Sequence, residues 1–316
     1  MSKTPTDPHR MLLSGPTMGS RWSVLLDEPA KPDAHALQAA LQAAVDEVDA
    51  QMSTWKPDSD LMLFNAAPCG DWVVLPAGLM AVLRAGVQIG RATKGAFEMN
   101  VGAAMRAWGF GSDPADLAAI RAASVAARVS SLAALELDSA RQAARKTAPL
   151  ALDLSGIAKG YGVDRLAEVV AGHGLSRALC AIDGEVRALG RQADGSPWSV
   201  AIETPDSPDR APHSMLALTE GAVATSGDYR HFLTVRGRRL PHTIDPRRGS
   251  PLVDGPASVS VMAADCMTAD AMATALMVMG KDEGLAFARQ HAISALFLLR
   301  DGAALRSVGS GIFANG

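Results

Sequence analysis

Asp270 and Thr274 interrupt the stretch DCMTADAMATALMVMG (265–280), which is otherwise almost entirely small or apolar. Residues four apart share one face of a helix, so the carboxylate and the hydroxyl point the same way. Two readings are open. Thr274 can bond back to the carbonyl one turn earlier while Asp270 takes backbone donors from a neighbouring loop, the commoner use of such residues. Alternatively, the pair offers hard oxygens to a small divalent cation, which takes a few protein oxygens and fills its shell with water and phosphate. A second chemical group is His242 in PHTIDPRRGSP (241–251), three residues before Asp245. A histidine before a tight turn is usually structural, yet an imidazole titrating near neutrality in a polar turn suits a general base.

Further loops combine glycine with polar or aromatic groups. LDLSGIAKGYGVD (152–164) sets Ser155, Gly156 and Gly160 around a helix start, so that free N–H groups and Lys159 could face an anion. The lysine lacks the spacing and the following Ser or Thr of a Walker A loop, and a plain strand-to-helix turn is the ordinary alternative. ATSGDYRHF (224–232) places Thr225, Ser226 and Asp228 about Gly227, most simply a hairpin. MSTWKPDSDLMLFN (52–65) presents Trp55 beside a Pro57 turn, where its ring could cover a flat ligand, and KGAFEMNVGAAMRAWGFG (94–111) adds Phe97 and Glu98. For Trp108 and Phe110 core packing is an equally good account.

These loops need elements to hold them. RWSVLLD (21–27) reads as a strand, and residues 33–52 as a helix with Leu37, Leu41, Val45, Val48 and Met52 on one face. Helices follow over 76–93 and from 114, then two strands joined by a turn within 134–153, and a helix from Ala158 to Ala171 stopping at Gly172 or Gly174. Beyond Gly174 the pattern becomes short strands, RALCAID, EVRALG, WSVAIE and SMLALT, separated by Gly, Asp and Pro, which predicts a meander. Strands at 231–236 and 257–263 precede the Asp270 helix, whose start is Asp265 as N-cap and whose stop is Gly280, and ALFLLRD is read as the last strand. Runs of strands with helices grouped between them favour an α+β fold over a doubly wound sheet.

The 316 residues, 48% hydrophobic and 20% charged, suffice for one large domain, 1–316, built of two intimately joined lobes, with residues 1–12 a flexible tail. A formal charge of -3 gives no general attraction to nucleic acid or anionic lipid, so any anion must be held locally. Cys69, Cys180 and Cys266 are far apart in apolar or small-residue settings and read as small buried packing residues, not as a disulfide or zinc framework. No window approaches a membrane span, and the N-terminus lacks a signal-peptide core. As written, the chain is expected in the cytoplasm. A periplasmic or membrane-anchored setting is the alternative if a leader has been removed.

In order along nearly the whole chain, TMGSRWSV, STWKPDSDLMLFN, GAFEMNVG, WGFG, DLSGIAKGYGVDRLAE, ATSGDYRHF, HTIDPRRGSP and ADAMATALMVMG together resemble the FAD:protein FMN transferase (ApbE) family of flavin transferases. The resemblance implies an α+β fold related to the T-fold, mostly antiparallel sheets with covering helices, and FAD bound as substrate between two lobes. It implies Mg2+ held by the side chains of Asp270 and Thr274 and the carbonyl of Ala158, lying against the FAD pyrophosphate. It places Met18, Trp55, Ala96, Phe97, Glu98, Ser155, Tyr161 and Ile244 at flavin-nucleotide contacts, with Lys159 as a phosphate neighbour. His242 becomes the base for a threonine or serine hydroxyl of an acceptor protein, with Asp245 orienting it, and AMP leaves. Three residues depart from the family pattern: Asp183 replaces a glycine in IDGE, Glu98 stands for the usual aspartate, and Leu63 stands where an arginine often precedes FN. Two further readings use the same pocket. One is an FAD pyrophosphatase releasing FMN and AMP, and the other is a non-catalytic FAD-binding protein, against which a base beside a metal argues.

Overall fold

The computed structural model describes residues 10–28, 32–125, 128–207, 209, 211–230, 232–235, 238–302 and 304–314. The chain opens with a hairpin of β1 (Arg10–Thr17) and β2 (Ser20–Asp27), followed by helices α1 (Ala34–Met52) and α2 (Asp60–Ala66). Strand β3 (Val73–Val74) and helices α3 (Ala77–Ala92), α4 (Gly102–Ala107), α5 (Leu117–Val125) and α6 (Ser131–Ala134) come next. Strands β4 (Leu135–Asp138) and β5 (Ala143–Lys146) then lead to α7 (Ala158–Gly172). The second half runs β6 (Ala178–Ile182), β7 (Glu185–Leu189), β8 (Trp198–Glu203), β9 (Pro212–Leu218) and β10 (Gly221–Gly227). It continues with β11 (Phe232–Val235), β12 (Arg238–Pro241), β13 (Ile244–Asp245), β14 (Ser250–Pro251) and β15 (Ser258–Ala263). Helix α8 (Cys266–Gln290) and strands β16 (Ser294–Asp301) and β17 (Ala304–Ser310) complete it.

Eight strands form an antiparallel sheet in the order β1-β2-β6-β7-β10-β15-β16-β17. The α+β class expected from the sequence is the observed one. Helix α1 forms as its apolar spacing predicts, capped by Asp33, whose carboxylate accepts the His35 and Ala36 amides. Of its buried face, Leu37, Leu41 and Val45 share a core with Trp22, Val24, Leu166, Val170 and Ile182, and Val48 and Met52 pack in a second core with Leu61, Leu79 and Leu83. Helix α8 is capped by the Asp265 side chain on the Thr268 amide. Its alanines 269, 271, 273 and 275 are fully buried; Ala269 and Ala273 pack in the cores that hold Ala224 of β10 and Val259 and Val261 of β15, and Ala271 and Ala275 in the core that holds α3.

The structure corrects several expectations. Residues 1–9 of the expected tail lie outside the described residues, and residues 10–12 belong to β1 rather than to a tail. The strands after Gly174 are not one meander: β8 pairs with β9 in a separate two-stranded sheet, and β7 pairs with β10. ALFLLRD is followed by β17, so it is not the last strand. Gly280 does break the helix, at φ 76° and ψ -175°, but the chain resumes helical form to Gln290. Cys180 and Cys266 are buried as expected, whereas Cys69 is exposed.

Candidate active site

The start of α7 and the first turns of α8 meet because glycine lets them. A Cβ on Gly160 would stand 2.3 Å from the Cys266 carbonyl oxygen and 2.8 Å from the Asp270 Cβ, so no side chain fits there. The Gly160 amide instead donates to Asp270 Oδ2 at 3.0 Å. Likewise a Cβ on Gly156 would stand 2.9 Å from Thr274 Oγ1, which itself pairs with the Ser226 hydroxyl at 3.1 Å. Asp164 fastens the same two helices: its carboxylate accepts the Cys266 and Met267 amides at 2.9 Å each and the Arg187 guanidinium at 2.6 Å. An anion at the start of α8 also meets the positive end of that helix. Gly160→Ala is therefore expected to lower the melting temperature and to impair the site together, because relieving the overlap requires α7 and α8 to move apart. A variant with parental stability would show that the approach is looser than drawn.

Beside this junction opens a cavity of about 1530 Å³. Its apolar lining includes Met18, Val48, Met52, Trp55, Phe97, Met105 and Phe110. Met18 reaches it from the two-residue turn between β1 and β2, where it sits at φ 45°, a conformation that side chains other than glycine seldom adopt. Trp55 stands on the rim, 63% exposed. The cavity lining at the α7–α8 junction includes Ser155, Ala158, Lys159, Glu185, Ser226, Asp270 and Thr274. His242 is in the wall, edge-on to Phe110 with ring centroids 6.4 Å apart.

Asp270 is 4% exposed, and its pKa is raised to about 7, first by loss of solvent and then by repulsion from Glu185, with Lys159 and the Gly160 amide acting the other way. Glu185 is 2% exposed; one oxygen holds the Lys159 ammonium at 2.8 Å, and the other, buried, has no hydrogen-bond partner among the described residues. Burial alone would lower the pKa of Lys159, but the carboxylates of Glu185, Asp270 and Asp183 raise it above its ordinary value. The cavity wall carries the acids Asp49, Glu98, Asp153, Asp183, Glu185, Glu203, Asp206 and Asp270 against the bases Lys56, Lys159, Arg230 and Arg239, a formal charge of -4 with His242 neutral. Such a wall disfavours an anionic ligand unless a cation accompanies it. The donor set fits a magnesium ion on those grounds: a buried carboxylate and a hydroxyl one turn apart, a helix-start carbonyl on the same wall, and excess negative charge. No group of three or more His, Cys, Asp or Glu side chains able to hold a metal occurs among the described residues, so any such site would use hydroxyl and carbonyl oxygens too.

Every site residue expected from the sequence lines this cavity except Tyr161 and Asp245. Tyr161 directs its hydroxyl toward Gly78 at the start of α3. Asp245, 4% exposed, accepts the Arg247 amide at 2.9 Å and its guanidinium at 3.1 Å, and its carbonyl takes the Gly249 amide. Asp245 thus ties the 245–249 turn. Glu98 lines the cavity while accepting the Asn100 and Ser131 amides and the Ser130 hydroxyl, which anchors the loop to the start of α6. Leu63, 56% exposed on α2, is not part of the wall. Glu185, Ser226, Glu203 and Arg230 were not singled out as site residues from the sequence; the acid directly after the β6–β7 turn was the available sign for Glu185.

An eight-stranded antiparallel sheet with covering helices around a large cavity defines an α+β architecture. The structure superposes on the Pseudomonas stutzeri flavinyl transferase ApbE, apo form, with a TM-score of 0.85 and 33% identity, covering 97% of this chain and 98% of that one. Against the flavin transferase ApbE from Vibrio cholerae the TM-score is 0.84 at 32% identity, covering 96% and 98%. Over 308 residues the chain is 34% identical to the FAD:protein FMN transferase of Klebsiella pneumoniae, spanning 95% of this chain and 87% of the relative. The ApbE family model matches residues 18–297, and the chain belongs to the ApbE family.

Proposed function

We propose that this enzyme transfers FMN from FAD to a serine or threonine hydroxyl of an acceptor protein, releasing AMP. The observation that carries the reading is the meeting of His242, Lys159 and the Asp270–Thr274 pair, from separate segments, in one cavity lined by both apolar and polar residues. The isoalloxazine ring lies against Trp55, Met18, Ala96, Phe97 and Ile244, and the pyrophosphate lies against the polar groups at the α7–α8 junction. Ser155 and Lys159, at the start of α7, face the phosphates, with Glu185 holding the lysine in place. Asp270, Thr274 and the Ala158 carbonyl are the groups that would hold a magnesium ion; bound there, it supplies charge neutralisation and polarisation of a phosphoryl oxygen. His242 accepts the proton of the acceptor hydroxyl as its oxygen bonds to the FMN-side phosphorus and the bond to AMP breaks. Asp245 serves His242 through the turn that it ties.

The test is incubation with FAD and magnesium, with and without a flavin-acceptor protein, following AMP and fluorescence that stays with the acceptor after denaturation. AMP formed only with acceptor, together with a fluorescent acceptor band, is expected. AMP formed equally without acceptor would make the protein an FAD pyrophosphatase, and no AMP in either case would leave a binding protein.

Trp55→Ala is expected to weaken FAD binding by about 1 kcal/mol, roughly fivefold, the worth of one aromatic stacking contact. A fluorescence titration with unchanged affinity would remove the tryptophan from the ring site.

A further inference from the structure

In the cavity wall the Arg230 guanidinium bridges two other elements. It donates to the Asp183 carboxylate in the two-residue turn between β6 and β7, and to Glu203 at the end of β8 at 2.6 Å. Burial alone would lower the pKa of Arg230, but its two carboxylate partners hold it above the ordinary value. The segment that carries Arg230 is tied at its other end as well: Asp228 binds Arg300 through both oxygens, at 2.5 and 2.7 Å, and its amide donates to the Ala257 carbonyl. Between these ties lies Tyr229, which with Arg230 lines the cavity, and just before them Ser226 touches Thr274.

Asp183 occupies this place at two local costs. It sits at φ 53°, at the first position of a two-residue hairpin turn whose second residue, Gly184, is outside the left-handed region. Such a turn favours glycine at the first position, and a side chain there is strained. It also adds a carboxylate to a wall that is already negative and that, on the proposed reading, must accept a pyrophosphate. A residue unfavourable by both measures is accounted for by what it holds.

We infer that Asp183 is a positioning residue for FAD: it fixes Arg230, and with it the Asp228–Arg230 segment, as a preformed wall of the nucleotide cavity. The inference rests on the reading of the cavity as an FAD site. A planar guanidinium can bridge two carboxylates from separate elements, which an ammonium on a flexible stem does far less well. Fixing the wall before the ligand arrives spares the ordering cost that binding would otherwise meet.

The sign of one effect separates this role from a bystander's. If Asp183 only contributes negative charge, Asp183→Gly removes repulsion and FAD binds more tightly. As a positioning residue its loss weakens FAD binding, by roughly five- to tenfold, about the share of one charge-assisted hydrogen bond. The same variant should keep or raise the melting temperature, because glycine is unstrained at this φ. Asp183→Asn, which retains an acceptor for Arg230 and tolerates the left-handed region, should bind FAD nearly as the parent does. Arg230→Lys should weaken binding about as much as Asp183→Gly. FAD affinity is read by fluorescence titration in magnesium, beside the melting temperature without FAD. Unchanged or tighter binding by Asp183→Gly overturns the inference, as does an Asn variant that behaves like the Gly variant. A parent protein that does not bind FAD would instead overturn the underlying reading of the cavity.

Discussion

Replacing His242 with alanine is expected to lower the rate of FMN transfer by on the order of 10²- to 10⁴-fold, the usual contribution of a positioned base, while FAD affinity and melting temperature stay near those of the parent. Binding survives because the imidazole borders the cavity beside Phe110, whereas the turn that follows is tied by Asp245 through Arg247 and the Gly249 amide. A histidine that merely braced the turn would behave differently. Its removal would lower stability and FAD affinity together and leave turnover at saturating FAD nearly unchanged. Single-turnover transfer, FAD titration and thermal melting on one preparation decide the matter, and a parental transfer rate would take His242 out of the chemistry.

Asp270→Asn should reduce turnover by on the order of 10²-fold or more, since an amide is a poor substitute for a carboxylate that binds a hard cation. The amide oxygen can still accept the Gly160 amide, so the α7–α8 junction keeps its tie. Two readouts besides activity follow. Magnesium should raise the melting temperature of the parent but not of the variant, because only a ligand bound by the native state stabilises it. Without magnesium, burial and the neighbouring Glu185 hold the Asp270 carboxyl near 7, so the folded state keeps a proton that the unfolded chain gives up in the ordinary carboxylate range. The native state then binds more protons than the unfolded state over that interval. Stability contributed by Asp270 is full below the ordinary carboxylate range and is lost as pH rises toward 7. The asparagine variant should lack this loss. A parent whose stability is flat over the interval, or a variant that magnesium still stabilises, would contradict the role given to Asp270.

Local pattern in the sequence determined most of the elements, because apolar periodicity and caps act over a few residues. Leu37, Leu41, Val45, Val48 and Met52 form the buried face of α1, and Asp265 caps α8, as their spacing implied. The α+β class, the shared face of Asp270 and Thr274, and the glycine-rich helix start at Ala158 were legible for the same reason. Strand β1 was not, since its hairpin turns on Met18 and Gly19, both at positive φ, without the Asn-Gly or Asp-Gly pair that announces such a turn.

Tertiary structure alone decided what the polar groups do. From sequence, Asp270 could be a structural acceptor or a metal ligand. In the fold it accepts the Gly160 amide and also stands buried beside Glu185 in a negatively charged cavity, a setting that periodicity along the chain does not reveal. Tyr161 belonged to the same motif as Lys159, yet helix α7 turns it toward α3 and away from the cavity. The clamp of Asp183, Glu203 and Arg230 draws on three segments: β10 enters the sheet beside β7, out of chain order, and Glu203 comes from the separate β8–β9 pair. Burial and charge at a point are sums over everything that surrounds it in space. Periodicity along the chain carries none of that sum, so the elements could be read from their own residues and the chemistry of the cavity could not.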